Sequence, residues 1–256
     1  MSNQLLVIRD LVVAFDAFHA IDGLDLTLNE HEVRFVIGPN GAGKTTLIDS
    51  ITNLVRPTSG SIMFAGSELV GQKEYAIVRA GIGRTFQKPS VFDELTVLEN
   101  VDLAACFRMP LRSLLRRRKG VSEDVAQILE SVNLTAQMDE PAGSLSHGQK
   151  QWLEVAMVLV QRPRLLLLDE PVAGMTERER LHTGELITTI AQEGTTVLVI
   201  EHDMDFVRRF AHKVTVMHEG KILTEGTVAE VQRNETVREV YLGRPRDARG
   251  AAEVPA

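Results

Sequence analysis

A glycine-rich segment directly after an apolar run constrains the fold of this chain more than any other feature. The run Val33–Ile37 is almost wholly apolar, and Gly-Pro-Asn-Gly-Ala-Gly-Lys-Thr follows it from Gly38 to Thr45. An apolar run without polar alternation is typical of a strand buried on both faces of a parallel sheet. The stretch Thr45–Asn53 predicts a helix, which Pro57 closes. Strand, loop and helix in this order predict an α/β fold.

The Gly38–Thr45 segment matches the phosphate-binding loop pattern G-x-x-x-x-G-K-[ST]. Glycine lets backbone N–H groups come close to phosphate oxygens, and the N-terminus of the next helix adds a positive potential. The Lys44 ammonium suits the β- and γ-phosphates, and the Thr45 hydroxyl suits Mg²⁺. The candidate ATP-binding residues of this segment are Gly38, Pro39, Asn40, Gly41, Ala42, Gly43, Lys44, Thr45 and Thr46.

A second apolar run, Leu165–Leu168, ends in two adjacent carboxylates, Asp169 and Glu170. Carboxylate oxygen is a preferred ligand of Mg²⁺, so Asp169 is predicted to hold the magnesium shell, directly or through water. A neighbouring carboxylate can orient a water molecule and accept its proton, which is the role predicted for Glu170. Together with the phosphate-binding loop, this pair predicts nucleotide hydrolysis.

Composition argues against several other classes of protein. The 256 residues are 44% hydrophobic and 25% charged, which is ordinary for one globular unit with an inserted subdomain. No apolar run approaches the roughly 18 residues that span a bilayer. The single Cys106 permits no internal disulfide, and the net charge of −7 does not favour a nucleic-acid partner. Because Met1–Gln4 shows no export signal, we expect a cytoplasmic chain.

The remaining pattern predicts strands that alternate with helices around a helical middle section. Asp93–Arg118, interrupted at Pro110, and Glu123–Val132 are predicted to be helical, with a basic cluster between Arg108 and Lys119. Such alternation predicts a mostly parallel sheet. The other predicted strands are Leu5–Ile8, Leu24–Leu28, Ser61–Phe64, Thr196–Ile200 and Val214–Met217, with a closing hairpin that turns at Glu219 and Gly220 and returns over Lys221–Glu225.

The segment Leu145–Gln149 precedes a helix whose apolar side chains recur at helical spacing. Ser146 and Gln149 fit the capping box S-x-x-Q, in which two side chains bind backbone N–H groups at the start of a helix. By itself this pattern indicates only a well-capped helix. The apolar face of that helix is Trp152, Val155, Ala156, Leu159 and Val160.

A phosphate-binding loop, a helical insertion, and a Ser-His-Gly-Gln segment just before an acidic strand end together resemble the ATP-binding-cassette (ABC) ATPase family. The resemblance covers about Leu5 to Gly243. It implies a mostly parallel core sheet with N-terminal antiparallel strands and an inserted helical subdomain. It also implies one domain over residues 1–243, with a core of 1–87 and 160–243, a helical insertion of 88–159, and a flexible tail of 244–256.

In that family each ATP lies between the phosphate-binding loop of one subunit and the signature segment of another, so the resemblance implies that ATP closes a dimer. Ser146, His147, Gly148 and Gln149 match the signature and are expected to bind the partner's ATP. The common signature has glycine where His147 stands, and the family often has aspartate where Thr176 stands.

Three further positions match nucleotide contacts of the family. Gln87 matches the glutamine that touches Mg²⁺ or the attacking water, and His202 matches the switch histidine at the γ-phosphate. Phe15 lies where the family stacks an aromatic ring on adenine, although Phe18 is near enough to compete. The implied magnesium ligands are Thr45, Gln87 and Asp169. The implied catalytic residues are Glu170 and His202.

Within the family, the chain resembles the branch that serves branched-chain amino-acid and urea importers, and it looks most like a urea importer's ATP-binding subunit. We therefore expect it to energise urea uptake, with branched-chain amino-acid uptake as the alternative. The expected partners are a second ABC ATPase, two membrane permeases and, indirectly, an external substrate-binding protein, on the cytoplasmic face of the membrane. The segments that carry this likeness are Gly81–Gln87, Ser144–Glu154, Glu170–Met175, Glu201–Met204 and Val240–Gly243.

Three other classes remain as alternatives. A soluble ABC ATPase that acts on DNA or ribosomes would usually show a long coiled-coil insertion, two fused cassettes or a basic face, and the sequence shows none of them. A GTPase would carry Asn-Lys-x-Asp for guanine, which the sequence lacks. The presence of both Glu170 and His202 argues against a cassette that binds ATP without hydrolysing it.

Overall fold

The computed structural model describes residues 3–107 and 122–242. The strands are β1 (Gln4–Phe15), β2 (Phe18–Asn29), β3 (Val33–Ile37), β4 (Ser59–Phe64), β5 (Ser67–Glu68), β6 (Ile82–Arg84), β7 (Leu165–Asp169), β8 (Thr196–Ile200), β9 (Lys213–His218) and β10 (Lys221–Gly226). The helices are α1 (Lys44–Ile51), α2 (Glu74–Ala80), α3 (Val97–Cys106), α4 (Glu123–Ser131), α5 (His147–Leu159), α6 (Glu177–Gln192), α7 (Met204–Phe210), α8 (Val228–Arg233) and α9 (Glu235–Leu242). None of these helices has the length and apolar character needed to cross a bilayer.

The larger sheet has the order β10-β9-β3-β8-β7-β6, and all its pairings are parallel except that of β10 with β9. Every residue of β3, β7 and β8 is buried. Phe35 faces the core beneath the helices, whereas Val36 faces a second core that contains Leu47 and Ile51 of α1. Burial on both faces explains why these strands have no polar alternation. The predicted mostly parallel sheet is confirmed.

The smaller sheet is antiparallel, in the order β2-β1-β4-β5, and covers one face of the larger one. The strands predicted at Leu5–Ile8 and Leu24–Leu28 belong to a hairpin that is longer at both ends. A register shift between Ile8 and Leu11 breaks the period-two pattern, and Asp10 has a φ of 46°. A bulge of this kind moves later side chains to the opposite face, which hides the rest of the strand from pattern reading.

The described parts of the section between β6 and β7 contain the helices α3, α4 and α5, as the predicted helical middle section requires. Its first helix, α3, begins at Val97 and not at the expected Asp93, because Thr96 and Glu99 form a capping box there. Residues 108–121, which carry the basic cluster, and the tail 244–256 lie outside the described residues. The division of the chain into a core and the insertion 88–159 stays a prediction.

Helix α5 packs against α6 through the single tryptophan of the chain. The Nε1–H group of Trp152 donates to the Thr183 hydroxyl at 3.0 Å. The Trp152 ring meets the His182 ring edge-on, with the ring centroids 4.7 Å apart. The buried apolar face predicted for this helix is confirmed at Trp152, Val155 and Ala156, whereas Leu159 and Val160 are partly exposed.

Candidate nucleotide-binding site

The glycine-rich loop joins the end of β3 to the start of α1, as predicted. Gly43 precedes the helix with a φ of 97°, and no side chain caps the helix. The first N–H groups of α1 therefore remain available to an anion, and the helix dipole adds to their attraction. Ala42 is buried, while Asn40, Gly41 and Thr45 are exposed. Pro39 and Thr46 are intermediate.

Two glycines of the loop are required by close approach to other strands. A Cβ at Gly38 would lie 2.3 Å from the carbonyl oxygen of Met217, and one at Gly43 would lie 2.3 Å from that of Ala20. Gly41 has a φ of 81°, but its Cβ would meet nothing within 4 Å. The loop is therefore pressed against β2 and β9 at two points and is open to solvent between them.

Lys44 folds back over the loop. Its ammonium donates to the carbonyl oxygen of Gly38 at 2.8 Å and to that of Pro39 at 3.1 Å, and the residue is 7% exposed. Burial lowers the pKa of Lys44, while the negative charges of Glu170 and Asp169 oppose that shift. The predicted cation and the two predicted carboxylates are thus electrostatic neighbours.

Asp169 is the last residue of β7 and is 1% exposed. Burial raises the pKa of its carboxyl group to about 6, although the Arg84 guanidinium, 3.8 Å away, lowers it. Its Oδ1 atom is buried without a hydrogen-bond partner in the protein. An unsatisfied buried oxygen is costly, so this atom fits a ligand of Mg²⁺, a cation that prefers oxygen. In residues 3–107 and 122–242 no cluster of three His, Cys, Asp or Glu side chains could hold a metal, so phosphate, hydroxyl or water oxygens would have to complete the shell.

Glu170 and His202 follow neighbouring strands and meet at the same edge of the sheet. The Nδ1 atom of His202 lies 3.4 Å from Oε1 of Glu170, and both side chains are partly exposed. Glu170 has a φ of 51°, a conformation that costs energy in a residue with a Cβ. The structure therefore brings together the two predicted catalytic residues.

Glu201 holds the backbone of the two loops that follow β7 and β8. It was not among the residues predicted for the site. Its carboxylate accepts hydrogen bonds from the backbone N–H groups of Val172 at 3.3 Å, His202 at 3.1 Å and Asp203 at 3.4 Å. Glu201 is 1% exposed, and burial raises its pKa against the effect of those bonds. A charged residue directly after the buried run Thr196–Ile200 was the available sequence signal.

Arg84 is a second supporting residue that sequence reasoning missed. Its guanidinium contacts Asp49 on α1 at 2.6 Å and Thr52, the residue after α1, at 3.1 Å, besides Asp169. It also lies 5.0 Å from the centre of the Phe86 ring. Gln87 follows as an exposed residue of the loop between β6 and α3.

The signature segment begins α5. Ser146 and Gln149 form the predicted capping box, with bonds of 2.9 and 3.3 Å. Ser146 and His147 are exposed. The His147 ring lies 3.7 Å from where a Cβ of Gly174 would stand, so it lies beside the loop after Glu170 within the same chain. The exposed side of this segment is free to face another molecule.

Phe15 and Phe18 are opposite each other at the tip of the β1–β2 hairpin. They are 50% and 61% exposed, respectively. An aromatic ring left in solvent on a hairpin is available for stacking. The structure offers both rings and does not select one.

A phosphate-binding loop, the buried carboxylate of Asp169 beside it, and the pair of Glu170 and His202 define a nucleotide-binding P-loop protein. The ABC transporter family model matches residues 21–173, and the model described as branched-chain amino acid ATP-binding cassette transporter matches residues 221–247. The chain belongs to the ABC transporter family of ATP-binding proteins, whose cassettes are ATPases that power transport.

Curated relatives align over nearly their full length. The high-affinity branched-chain amino acid transport ATP-binding protein BraF of Pseudomonas aeruginosa is 37% identical over 95% of this chain and 99% of its own. LivG of Escherichia coli, with the same description, is 34% identical over 95% of this chain and 99% of its own. A crystal structure of a nucleotide-free ATP-binding cassette from an ABC transporter has a TM-score of 0.81 and 31% identity, over 94% of this chain and 99% of that one. The predicted fold class is confirmed.

These relatives do not support the finer expectation of urea transport. Both are described as ATP-binding proteins of branched-chain amino acid transport. The second family model, which matches residues 221–247, also names branched-chain amino acids. The branch is therefore confirmed, while the particular likeness to a urea importer's subunit is not distinguished from it. The alternative, branched-chain amino-acid transport, has the better support.

Proposed function

We propose that this chain is the ATP-hydrolysing subunit of an importer of branched-chain amino acids. The observation that carries the proposal is the Glu170–His202 pair, set beside the phosphate-binding loop in a chain whose relatives energise that transport. The match over residues 221–247 supports the substrate class. This subunit itself has no contact with the transported amino acid in the proposal.

In the proposed reaction, the loop N–H groups and the Lys44 ammonium bind the phosphates of ATP. Thr45, Gln87 and Asp169 would hold Mg²⁺, which supplies charge neutralisation at the β- and γ-phosphates. Glu170 orients the attacking water and accepts its proton, and His202 contacts the γ-phosphate. Phe15 stacks on adenine. The remaining proposed ATP contacts are Gly38, Pro39, Asn40, Gly41, Ala42, Gly43 and Thr46.

The proposed cycle depends on a second ATPase subunit. Ser146, His147, Gly148 and Gln149 present a capped helix start that would bind the γ-phosphate of ATP held by that partner. ATP then stabilises the closed pair, and hydrolysis removes the shared anion, so the two subunits separate. His147 gives this surface an imidazole where the common signature has no side chain.

We place the chain on the cytoplasmic face of the membrane, bound to two permease subunits that receive substrate from an external binding protein. Phe86 and Phe92, in the segment between β6 and α3, are 44% and 53% exposed, and exposed aromatic surface of this kind is typical of protein contacts. Crosslinkers placed between residues 86 and 97 should therefore capture a permease in the assembled transporter. Absence of such crosslinks in an intact complex would reject this docking site.

Uptake assays separate the substrates. A strain lacking this chain should lose uptake of labelled leucine and keep uptake of labelled urea, and the wild-type chain should restore it where Glu170→Gln does not. Loss of urea uptake alone would favour the urea importer. Unchanged uptake of both, with ATPase activity present, would favour a soluble ABC ATPase outside transport.

A further inference from the structure

A buried glutamate in the middle of α5 contacts the loop that carries Gln87. Glu154 is 4% exposed. Its Oε1 atom accepts the backbone N–H of Ser90 at 3.2 Å. The backbone N–H of Phe86 lies 3.3 Å from Oε1 and 3.4 Å from Oε2. The two amides flank Gln87, so a single carboxylate holds both ends of this short loop.

The position is unfavourable for an acid unless those bonds are made. Glu154 lies between Leu153 and Val155, which are both buried. Burial raises the pKa of Glu154 to about 7, and the N–H groups of Ser90 and Phe86 oppose that shift, as does the Arg84 guanidinium. A buried carboxylate is stable only with partners, and here the partners are two N–H groups of a segment outside helix and strand.

The loop has a separate anchor on the core. The Arg84 guanidinium lies over the Phe86 ring and contacts Asp49 of α1. Phe86 is thus held to the core by its ring and to α5 by its backbone. Removal of the Glu154 carboxylate would remove the hold on the backbone and leave the contact of the Phe86 ring with Arg84.

We propose that Glu154 is a positioning residue that fixes the loop Phe86–Ser90 to α5, so that Gln87 and the Ser146 end of the helix move together. Glu154 lies eight residues after Ser146, which is about 12 Å along a helix. Under the proposed function, on which this consequence rests, Gln87 meets the chain's own ATP while Ser146 meets the partner's. Helix α5, with the loop Phe86–Ser90 attached to it, therefore links the sites of the two nucleotides. We call this attachment through Glu154 the clamp.

Hydrogen exchange of the full chain tests the clamp directly. Glu154→Leu removes both acceptors at similar volume, and exchange at residues 86–90 should become about tenfold faster, as for losing a hydrogen bond. Exchange at residues 38–46 should stay unchanged. In Glu154→Gln the amide oxygen can still accept both N–H groups, so exchange at residues 86–90 should remain near wild type.

Several results would overturn the clamp. One is unchanged exchange at residues 86–90 in a folded Glu154→Leu protein, and another is equally fast exchange in Glu154→Gln. If Glu154→Leu does not fold, Glu154→Asp decides, because its shorter side chain cannot reach both amides. Exchange at wild-type rate in that variant would also overturn the proposal.

ATP turnover tests the consequence. Glu154→Leu should lower kcat while leaving the KM for ATP within about twofold, since it removes loop position and no phosphate contact. Glu154→Gln should restore kcat. An equal fall in both variants would overturn the coupling. If the wild-type chain shows no ATPase activity in any assembly, the proposed function fails, whereas the exchange result still decides whether the clamp exists.

Discussion

The Nδ1 atom of His202 lies 3.4 Å from the Oε1 atom of Glu170. The backbone N–H of His202 also donates to Glu201, which accepts the N–H of Val172 in the loop after Glu170. One buried carboxylate therefore sets the backbone beneath both members of the pair.

Glu170→Gln should keep ATP binding and lower hydrolysis by at least roughly 100-fold, because the amide cannot accept a proton from water. Phosphate release and nucleotide binding should be measured on the same preparation. Glu185→Gln, an exposed position on α6, is the matched control and should be unchanged. Near-wild-type turnover in Glu170→Gln would contradict the role of the general base.

Lys44→Ala should weaken ATP binding by about 10- to 100-fold, the effect of losing a charge-assisted hydrogen bond to phosphate. Equilibrium binding of ATP with and without Mg²⁺ is the measurement. Lys73→Ala removes an exposed lysine before α2 and should bind ATP normally. Equal affinities for all three proteins would show that Lys44 does not contact the phosphates.

The strand, the phosphate-binding loop and the capping box were predictable because each depends on neighbours in sequence. The glycines of the phosphate-binding loop, and Ser146 three residues before Gln149, can be recognised from residues that are close together in the sequence. The supporting residues were not predictable. Glu154 binds an amide 68 residues away, and Glu201 binds one 29 residues away, so no local pattern records either contact.

The ends of the strands could not be predicted from the sequence, for a different reason. Bulges in β1 reverse the side-chain alternation, and a bulged strand looks like a strand followed by a loop. The sequence pattern also did not explain why Arg34, a charged residue, stands within the apolar run of β3. Its guanidinium is fully buried, because the Glu32 carboxylate at 2.6 Å and the Thr215 hydroxyl at 2.8 Å satisfy it.

Two glycines of one loop provide a comparison within the chain. Gly41→Ala should cost about 1 kcal/mol in unfolding free energy, the strain of a positive φ in an L-residue. Gly43→Ala should cost about 1–3 kcal/mol more, because its methyl group would overlap the Ala20 carbonyl oxygen. Guanidinium denaturation without nucleotide measures both. Equal costs would show that the loop can move off β2.

Stability without nucleotide should fall as pH rises from about 4.5 to about 7, because of Glu154. Its carboxyl has a pKa near 7 in the folded chain and an ordinary value of 4.5, so within this window the folded state holds a proton that the unfolded state has released. The loss is complete above the window and amounts to roughly 3 kcal/mol at most.

Denaturation at pH 5 and pH 8 measures this dependence. Glu154→Gln should flatten the decline and be more stable than wild type at pH 8, while Glu185→Gln should follow the wild-type curve. Part of the decline should persist, because burial also raises the pKa values of Asp169 and Glu201. A slope identical to wild type in Glu154→Gln would contradict the assignment.

The single Trp152 lies where α5 meets α6. Its indole N–H is bonded to Thr183 and its ring lies beside the His182 ring, so a shift between α5 and α6 would change the surroundings of the indole. The protein therefore carries an intrinsic optical reporter at this junction, and unlabelled material suffices to follow, in real time, any sliding between the two helices.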